Sequence, residues 1–346
     1  MKLSDPSSEC LVIAEVAQAH DGSLGTAHAF VDAAASAGAN AIKFQTHIAA
    51  AESTRDETWR VKFSYQDASR YDYWKRMEFT AEQWHGLKRH ADERGILFLS
   101  SPFSFEAITL LERVGVAAWK IASGEVFEDA VVERLARTKA PLLISTGMSG
   151  WEEIDRVVEI ARANAAEFVL LQCTTEYPCP PENWGLNLLG EYRQRYQCSV
   201  GLSDHSGTIF PGVLAAWQGA AVVEVHLTLS KQSFGPDVAA SLTCEELRQL
   251  VSGVRAAERA RRHPVDKNAL AIGLAANRER FSRSLALVHA RPAGYVLRLE
   301  DLTLKKPGGG FASRHMPALV GATLAVDVPC DVLLRPEHLV EGGNFL

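Results

Sequence analysis

The chain has 346 residues, 47% of them hydrophobic and 23% charged, an ordinary globular composition with room for one large domain and a small one. Its formal net charge of −6 and pI near 6.0 argue against a nucleic-acid partner or an anionic membrane surface, both of which favour a basic face. No run approaches the ~18 apolar residues of a membrane span. The start, Met1-Lys2-Leu3-Ser4-Asp5-Pro6, has no apolar signal core, and the six cysteines (Cys10, Cys173, Cys179, Cys198, Cys244 and Cys330) form no CxxC pair, so free thiols in a reducing cytoplasm are expected.

Short apolar runs alternate with longer helical patterns. Strands are expected at 11–16, 41–44, 96–100, 118–121, 142–145, 168–172, 199–203 and 222–227. Strands separated by helices imply parallel βαβ units. Eight of them, with no GxGxxG turn, favour an α/β fold of the closed (β/α)8 TIM-barrel type over an open doubly wound sheet. Thr80-Ala81-Glu82-Gln83, Ser149-Gly150-Trp151-Glu152 and Thr243-Cys244-Glu245-Glu246 read as capping boxes, and Gly38 and Gly95 as helix ends. After Ser149, residues Ile154, Val157, Val158 and Ala161 recur at helical spacing and should face the barrel. The connection 46–79 is unusually long and carries Tyr65, Tyr71, Tyr73 and Trp74; it reads as a functional loop, with a plain cover over the barrel as the alternative.

The pattern changes after Arg261-Arg262-His263-Pro264, giving a barrel over 1–265, a linker over 266–282 and a small, mostly β domain over 283–346. The small domain contains a weak repeat. The segment from Pro292 through Leu297-Arg298-Leu299-Glu300 to Leu302 resembles that from Pro329 through Leu334-Arg335-Pro336-Glu337 to Leu339, offset by 37 residues. Between the copies, Lys305-Lys306-Pro307-Gly308-Gly309-Gly310 reads as an exposed loop beside two cations.

An α/β barrel works at the C-terminal ends of its strands. Those ends supply Glu15, Gln18 and His20; Lys43 and Gln45; Ser100 and Ser101; Lys120, Ser123 and Glu125. They continue with Ser145, Thr146 and Gly147; Thr174, Thr175 and Tyr177; Ser203, Asp204 and His205; and Glu224 and His226, with Asp237 following in Phe234-Gly235-Pro236-Asp237. Lysines inside apolar strands are costly unless they are paired, here with Glu15 or Glu125, or face an anion. Lys43 and Lys120 with converging serines therefore read as a pocket for phosphate and carboxylate. His205 and His226 end successive strands and can share Mn2+, Zn2+ or Fe2+ in an open, Lewis-acidic site. His20, Asp204 or Glu224 could be a third ligand or an orienting neighbour. No other histidine stands out.

Seven motifs in order now carry a resemblance: Ile13-Ala14-Glu15-Val16, Ile42-Lys43-Phe44-Gln45, Trp119-Lys120-Ile121-Ala122-Ser123-Gly124-Glu125, Ile144-Ser145-Thr146-Gly147-Met148, Cys173-Thr174-Thr175-Glu176-Tyr177-Pro178, Gly201-Leu202-Ser203-Asp204-His205 and Gly235-Pro236-Asp237. Together they resemble the sialic acid synthase family (N-acetylneuraminate synthase and its bacterial relatives, including the spore coat polysaccharide biosynthesis type). The tail resembles that family's antifreeze-like SAF domain. The resemblance implies metal-dependent condensation of phosphoenolpyruvate with an open-chain N-acylated hexose, N-acetylmannosamine or a diacetamido-trideoxyhexose, giving a nine-carbon 2-keto sugar acid and phosphate. By position, Lys43, Ser101, Lys120, Ser123, Ser145 and Ser203 would hold phosphoenolpyruvate. His205 and His226 would hold Mn2+, with Mg2+ or Co2+ as alternatives. Glu15, Glu125 and Asp237 would handle protons, Asp237 positioning the aldehyde or the water, and Gln45, Thr175, Tyr177 and Lys306 would face the sugar. The family pattern also implies a homodimer whose small domain caps the other subunit's barrel.

The chain departs from the family pattern at Ala19, where Asn is common, at Gln172 and Thr175, where His and Asn occur, and at Lys306, where Arg is usual. Arginine and lysine are not equivalent where a planar fork is used. The phosphoenolpyruvate half thus reads as intact and the sugar half as altered. Two other readings stay open: a non-catalytic sugar-binding or polysaccharide-assembly protein, and a related synthase acting on a sugar phosphate, for which no arginine cluster is visible at the strand ends.

Overall fold

Alternation with a period of two along buried strands decides the architecture. The computed structural model describes residues 9–59 and 62–341; the amino-terminal segment 1–6, read above for a leader, lies outside the described residues. Strands β1 (Leu11–Glu15), β2 (Ala41–Thr46), β3 (Leu97–Pro102), β4 (Trp119–Ile121), β5 (Leu142–Ser145), β6 (Phe168–Cys173), β7 (Ser199–Asp204) and β8 (Val222–Leu227) pair in parallel in chain order. β8 returns to pair with β1, Ile13 opposite Glu224 and Glu15 opposite His226, so the eight strands close into the expected barrel. A short β9 (Ser241–Leu242) lies alongside β8.

Leu11, Ile13, Ala41, Leu99, Ala118, Leu143, Val169, Leu171 and Val222 form one buried apolar cluster, the barrel interior. The alternate residues Val12, Ala14, Ile42, Phe44, Phe98, Trp119, Ile144, Leu170, Leu202, Val223 and Val225 belong to a second cluster shared with the helices. Two residues further along the inward register come Glu15, Lys43, Ser101, Lys120, Ser145, Cys173, Ser203 and Glu224. The same periodicity that fills the barrel with hydrocarbon therefore aims a polar layer into its C-terminal mouth. Gly201 belongs to this interior: a Cβ there would lie 2.5 Å from the Val222 carbonyl oxygen and 2.6 Å from Leu171 Cδ2.

The barrel helices are α1 (Leu24–Ala37), α2 (Ala49–Glu52), α3 (Arg70–Met77), α4 (Ala81–Glu93), α5 (Phe105–Val114), α6 (Asp129–Arg137), α7 (Trp151–Ala163), α8 (Leu188–Tyr196), α9 (Phe210–Trp217) and α10 (Cys244–Arg262). Thr80 and Thr243 form the expected reciprocal boxes with Gln83 and Glu246. Gly38 ends α1 at φ 84°, its N–H reaching the Ala34 and Ala35 carbonyls. At α7 the cap differs. Gly150 is the N-cap, its N–H donating to Glu153 Oε2 at 2.8 Å, while the Ser149 hydroxyl makes no hydrogen bond. The four residues expected to face the barrel from α7, Ile154, Val157, Val158 and Ala161, are buried. No helix among the described residues is long and apolar enough to cross a membrane.

The chain divides into two units, Met1–His263 and Pro264–Leu346. The expected linker is helical, with α11 (Lys267–Gly273) and α12 (Ala275–Phe281). Asp266 supplies the start signal, its Oδ1 accepting from Asn268 N at 2.8 Å and Ala269 N at 3.1 Å. β10 (Ser284–Leu287) and β11 (Leu302–Lys305) form an antiparallel pair over a core that includes Leu285, Leu297, Leu324 and Leu334. The sequence repeat is a structural one. Arg298 and Arg335 each follow a buried leucine and open a 3-10 turn, Leu299–Asp301 and Pro336–His338. Each arginine N–H donates to the side chain three residues on, Asp301 at 2.9 Å and His338 at 3.3 Å. The glycine loop is only partly exposed. Lys306 is exposed, with its Nζ 5.6 Å from the Phe281 ring centroid, and Lys305 bonds the Cys330 carbonyl. Gly308, by contrast, is buried against Glu279, and a Cβ there would fall 2.1 Å from Ser282 Oγ.

Gly201→Ala should lower unfolding free energy by about 1–3 kcal/mol, the usual range for overpacking. A urea midpoint equal to that of the parent protein would show that the interior has room the contacts deny.

Candidate active site

The polar layer opens into a cavity of about 750 Å3 at the C-terminal mouth of the barrel. At its floor lie four buried ionisable side chains. Lys43 Nζ stands 2.8 Å from Glu15 Oε2 and 3.8 Å from Glu224 Oε1, and it donates to Ser101 Oγ at 3.1 Å. Lys120 Nζ is 3.7 Å from Glu224 Oε1, which also accepts from Ser203 Oγ at 3.3 Å. Glu224, rather than the expected Glu125, is thus the second carboxylate of the lysine pairs.

The two cations differ. Burial works against charge on Lys43, but Glu15 and Glu224 outweigh it and hold the ammonium above the usual lysine range. Burial also opposes charge on Lys120; Glu224 compensates only in part and Lys43 repels, so Lys120 falls below that range. Glu224, despite burial, is held below the usual carboxylate range by Lys120 and Lys43. Ser145 Oγ and Glu224 Oε2 are buried with no hydrogen-bond partner among the described residues, and such atoms are rare in protein interiors. A floor with an under-compensated ammonium and an unused serine hydroxyl suits a small anion.

Above the floor stand the histidines, ring centroids 5.3 Å apart. His205 Nδ1 lies 2.8 Å from the Thr174 carbonyl oxygen, which assigns the proton to Nδ1 and the lone pair to Nε2. Burial, reinforced by His226, pushes the His205 pKa down to about 3, so the ring is neutral. Its Nε2 accepts the Tyr177 hydroxyl at 2.9 Å. His226 Nδ1 is 3.9 Å from Asp237 Oδ2. Among the described residues no cluster of three or more His, Cys, Asp or Glu is arranged to hold a metal, so a metal here would have two imidazoles and take its remaining ligands from water or substrate. His20 is not a third ligand. It is buried against Phe79, 4.8 Å between centroids, its Nδ1 accepts from Gly22 N, and it does not line the cavity. Asp204 also stays out of the lining; it accepts from Ser206 N at 3.1 Å and Ser206 Oγ at 2.7 Å, and burial raises its carboxyl to about 6.

The cavity also collects Gln45, Ser123, Glu125, Thr175, Tyr177 and Asp237. Gln45 Nε2 donates to Glu15 Oε1 at 3.2 Å. Burial, with Glu128 and Glu52 nearby, raises the Glu125 carboxyl. Gly147 lets three rim groups converge: a Cβ there would lie 2.6 Å from Thr175 Oγ1, 2.7 Å from Ser123 Oγ and 2.8 Å from Cys173 Sγ. Lys306 belongs to the second unit. The connection 46–79 forms one wall of the cavity rather than a plain cover, through His47, Glu52, Asp56, Glu57, Arg70 and Trp74, with Phe103 beside them. The expectation of a functional loop thus holds, with Tyr73 and Trp74 in the lining and Tyr65 and Tyr71 outside it, but the sequence does not single out His47, Glu52, Asp56, Glu57 and Arg70. His47 could have been found, since it continues the inward series Lys43, Gln45; the others lie on no period.

Glu224→Gln leaves two buried ammonium groups with one carboxylate. It should cost about 3–5 kcal/mol of stability, the range for a broken buried pair, and millimolar phosphate or sulfate should restore part of it. Calorimetric melting with and without the anion checks this; a variant as stable as the parent would remove Glu224 from the charge balance.

Residues 30–265 match the NeuB family and residues 282–340 the SAF domain. An N,N'-diacetyllegionaminic acid synthase of Legionella pneumophila is 32% identical over 345 residues, covering 96% of this chain and 95% of that protein. The human N-acetylneuraminate-9-phosphate synthase is 33% identical over 97% of this chain and 94% of its own length. The crystal structure of the spore coat polysaccharide biosynthesis protein SpsE from Bacillus subtilis superposes with a TM-score of 0.65 at 26% identity, over 98% of this chain and 97% of that one.

Proposed function

The chain belongs to the NeuB family, and from that premise we propose that it condenses phosphoenolpyruvate with an open-chain N-acylated hexose, forming a nine-carbon 2-keto sugar acid and phosphate. The observation that carries the reading is the single cavity that joins a two-lysine floor to a two-histidine rim. Lys43 and Lys120 would take the phosphate and carboxylate charges. Ser101, Ser123, Ser145 and Ser203 would donate hydrogen bonds to their oxygens, since hydroxyls add the direction that a point charge lacks. Glu15 and Glu224 keep the floor charged before substrate arrives.

In the forward reaction C3 of phosphoenolpyruvate bonds to the aldehyde carbon, water adds at C2, and the C2–O bond to phosphate breaks. The aldehyde oxygen must gain a proton, and the water must lose both of its own, one as it adds at C2 and one, passed to the departing phosphate, as the C2 carbonyl forms. Of the carboxyls in the lining, Glu15, Glu125 and Asp237 would do this, and Glu125, raised by burial, is suited to hold a proton and deliver it. The neutral His205 imidazole, with its lone pair on Nε2, fits a divalent metal, so His205 and His226 would hold Mn2+, which when bound supplies Lewis acidity toward the aldehyde oxygen. The lone pair that now accepts the Tyr177 hydroxyl is the one a metal would use, which would turn that phenol toward the sugar alongside Gln45 and Thr175.

An acceptor without a distal phosphate fits the outer wall. Among the described residues the wall offers Glu52, Asp56, Glu57 and Glu125, and its cation Arg70 is paired with Glu57 at 2.7 Å. The homodimer implied by the family pattern belongs to the same proposal and is checked by sedimentation equilibrium.

The test is phosphate release from phosphoenolpyruvate with Mn2+, using N-acetylmannosamine, its 6-phosphate and 2,4-diacetamido-trideoxyhexoses, with chelator as control. Metal-dependent release with an unphosphorylated sugar is expected; release with none of them would overturn the synthase reading in favour of a sugar-binding protein. His205→Ala should lose metal and turnover together. Phosphoenolpyruvate should raise the depressed Lys120 pKa, so binding near that pKa takes up a proton and weakens as pH rises through it. Calorimetry in buffers of different ionisation enthalpy should show this uptake in the parent and not in Lys120→Met.

A further inference from the structure

We propose that His47 is a positioning residue that fixes the Gln45 carboxamide as a hydrogen-bond donor toward Glu15 and toward an oxygen of the acceptor sugar; the second half rests on the synthase reading above. The imidazole is 4% exposed and lies just past the end of β2. It is stacked on both faces, by Trp74 at 4.2 Å between centroids and 19° between planes, and by Phe103 at 4.7 Å and 10°. Stacking fixes the ring plane. Rotation within that plane is fixed by Glu52, whose Oε1 is 2.7 Å from His47 Nδ1 while its Oε2 accepts from Ile48 N at 3.1 Å. Both ring nitrogens therefore face oxygen acceptors, Nδ1 the Glu52 carboxylate and Nε2, at 3.2 Å, Gln45 Oε1, an arrangement met by an imidazolium that donates from both.

Gln45 Oε1 also receives the amide of Gln18, which stands 3.4 Å from the same His47 nitrogen. The amide oxygen of Gln45 thus faces two side-chain nitrogens, and its nitrogen faces Glu15 Oε1 at 3.2 Å. A flipped amide would put its oxygen against that carboxylate and its N–H groups against the Gln18 and His47 nitrogens. His47 and Gln18 therefore select one orientation of a group that is otherwise close to symmetric in shape. The chain of contacts runs on through Glu15 to Lys43 at 2.8 Å, so the outer wall is tied to the charged floor. An amide nitrogen carries two hydrogens. One is spent on Glu15, and the other is presented to a ligand oxygen, a hydroxyl or an acyl carbonyl, which a carbon chain without that oxygen could not satisfy.

The experiment is a double-mutant cycle with His47→Leu and Gln45→Leu, read as separate KM values for the two substrates. His47→Leu should raise acceptor KM roughly tenfold, the scale of one misplaced hydrogen bond, with phosphoenolpyruvate KM unchanged. The same substitution in the Gln45→Leu background should change acceptor KM by less than about twofold, because its route of action is gone. Glu52→Gln keeps the stack and loses the charged anchor; it should move acceptor KM in the same direction by a smaller factor, and it serves if His47→Leu fails to fold. An unchanged acceptor KM, an equal rise in phosphoenolpyruvate KM, or an undiminished effect without Gln45 would overturn the proposal. Side-chain amide NMR judges it without turnover. The Gln45 NH2 signals, assigned by their loss in Gln45→Leu, should be dispersed and slow to exchange in the parent and collapse to solvent-like positions in His47→Leu or Glu52→Gln. If the parent turns over no acceptor, the synthase reading fails while the amide spectrum still decides whether His47 orients Gln45.

Discussion

Two lysines and two glutamates share the closed interior of a barrel, and most of the remaining structure follows from keeping them there. Burying ions is expensive, and a buried ion pair is rarely better for stability than hydrocarbon of the same shape. The quartet of Glu15, Lys43, Lys120 and Glu224 is therefore poorly explained as a structural device. It is also unevenly matched, with Lys43 in close contact with one carboxylate and Lys120 at longer range from another. A one-residue slip in β2 or β4 would turn a lysine out of the barrel and into the apolar layer under the helices. The strict inward alternation of apolar residues below the quartet guards against that slip, and the hydrocarbon floor and the charged layer are parts of one register.

The rim above is built by a different logic. Its groups are set by local contacts: the Thr174 carbonyl chooses the His205 tautomer, and the absence of a side chain at Gly147 admits Ser123, Cys173 and Thr175 to one point. Such contacts join the loops that follow neighbouring strands and can change while the strands stay as they are. The two families of contact meet at Gln45, which touches Glu15 on one side and His47 on the other.

The barrel was legible because its strands are apolar and its helices carry caps, both of which are local signals. Lys43 and Lys120 were legible as site residues because a charge inside an apolar run is an anomaly visible without a structure. What needed the closed sheet was the pairing. Glu224 is remote from both lysines in sequence and comes to them only because β8 joins β1. His20 sits at a strand end like the residues that line the cavity, yet the aromatic rings of Phe44 and Phe79 claim it for the core. The 266–281 stretch read as a linker because its helices bury none of their residues and so show no apolar stripe; only the Asp266 cap marks a start. Gly308 misled in the opposite sense, since glycine there answers a close approach to Glu279 rather than exposure.

The wall that carries His47 has a property separate from its contact with the cavity. Many of its hydrogen bonds and ion pairs close upon themselves: Arg70 with Glu57, Trp74 with Glu57, Arg76 with Asp67, Ser64 with Asp67 and Ser69 with Asp72. Glu78 also closes on the Ala49 N–H within the segment, and its ties to the barrel run through a limited set of residues, among them Arg76 to Asp21, Phe79 against His20 and Trp84, and His47 to Gln45. A segment so organised behaves as a cassette. Its outer face can be rewritten by mutation at little risk to the sheet, whereas no comparable freedom exists among the charges below. Diversification of acceptors within such a lineage is then expected to run through this insert, with the donor end of the cavity inherited nearly unchanged.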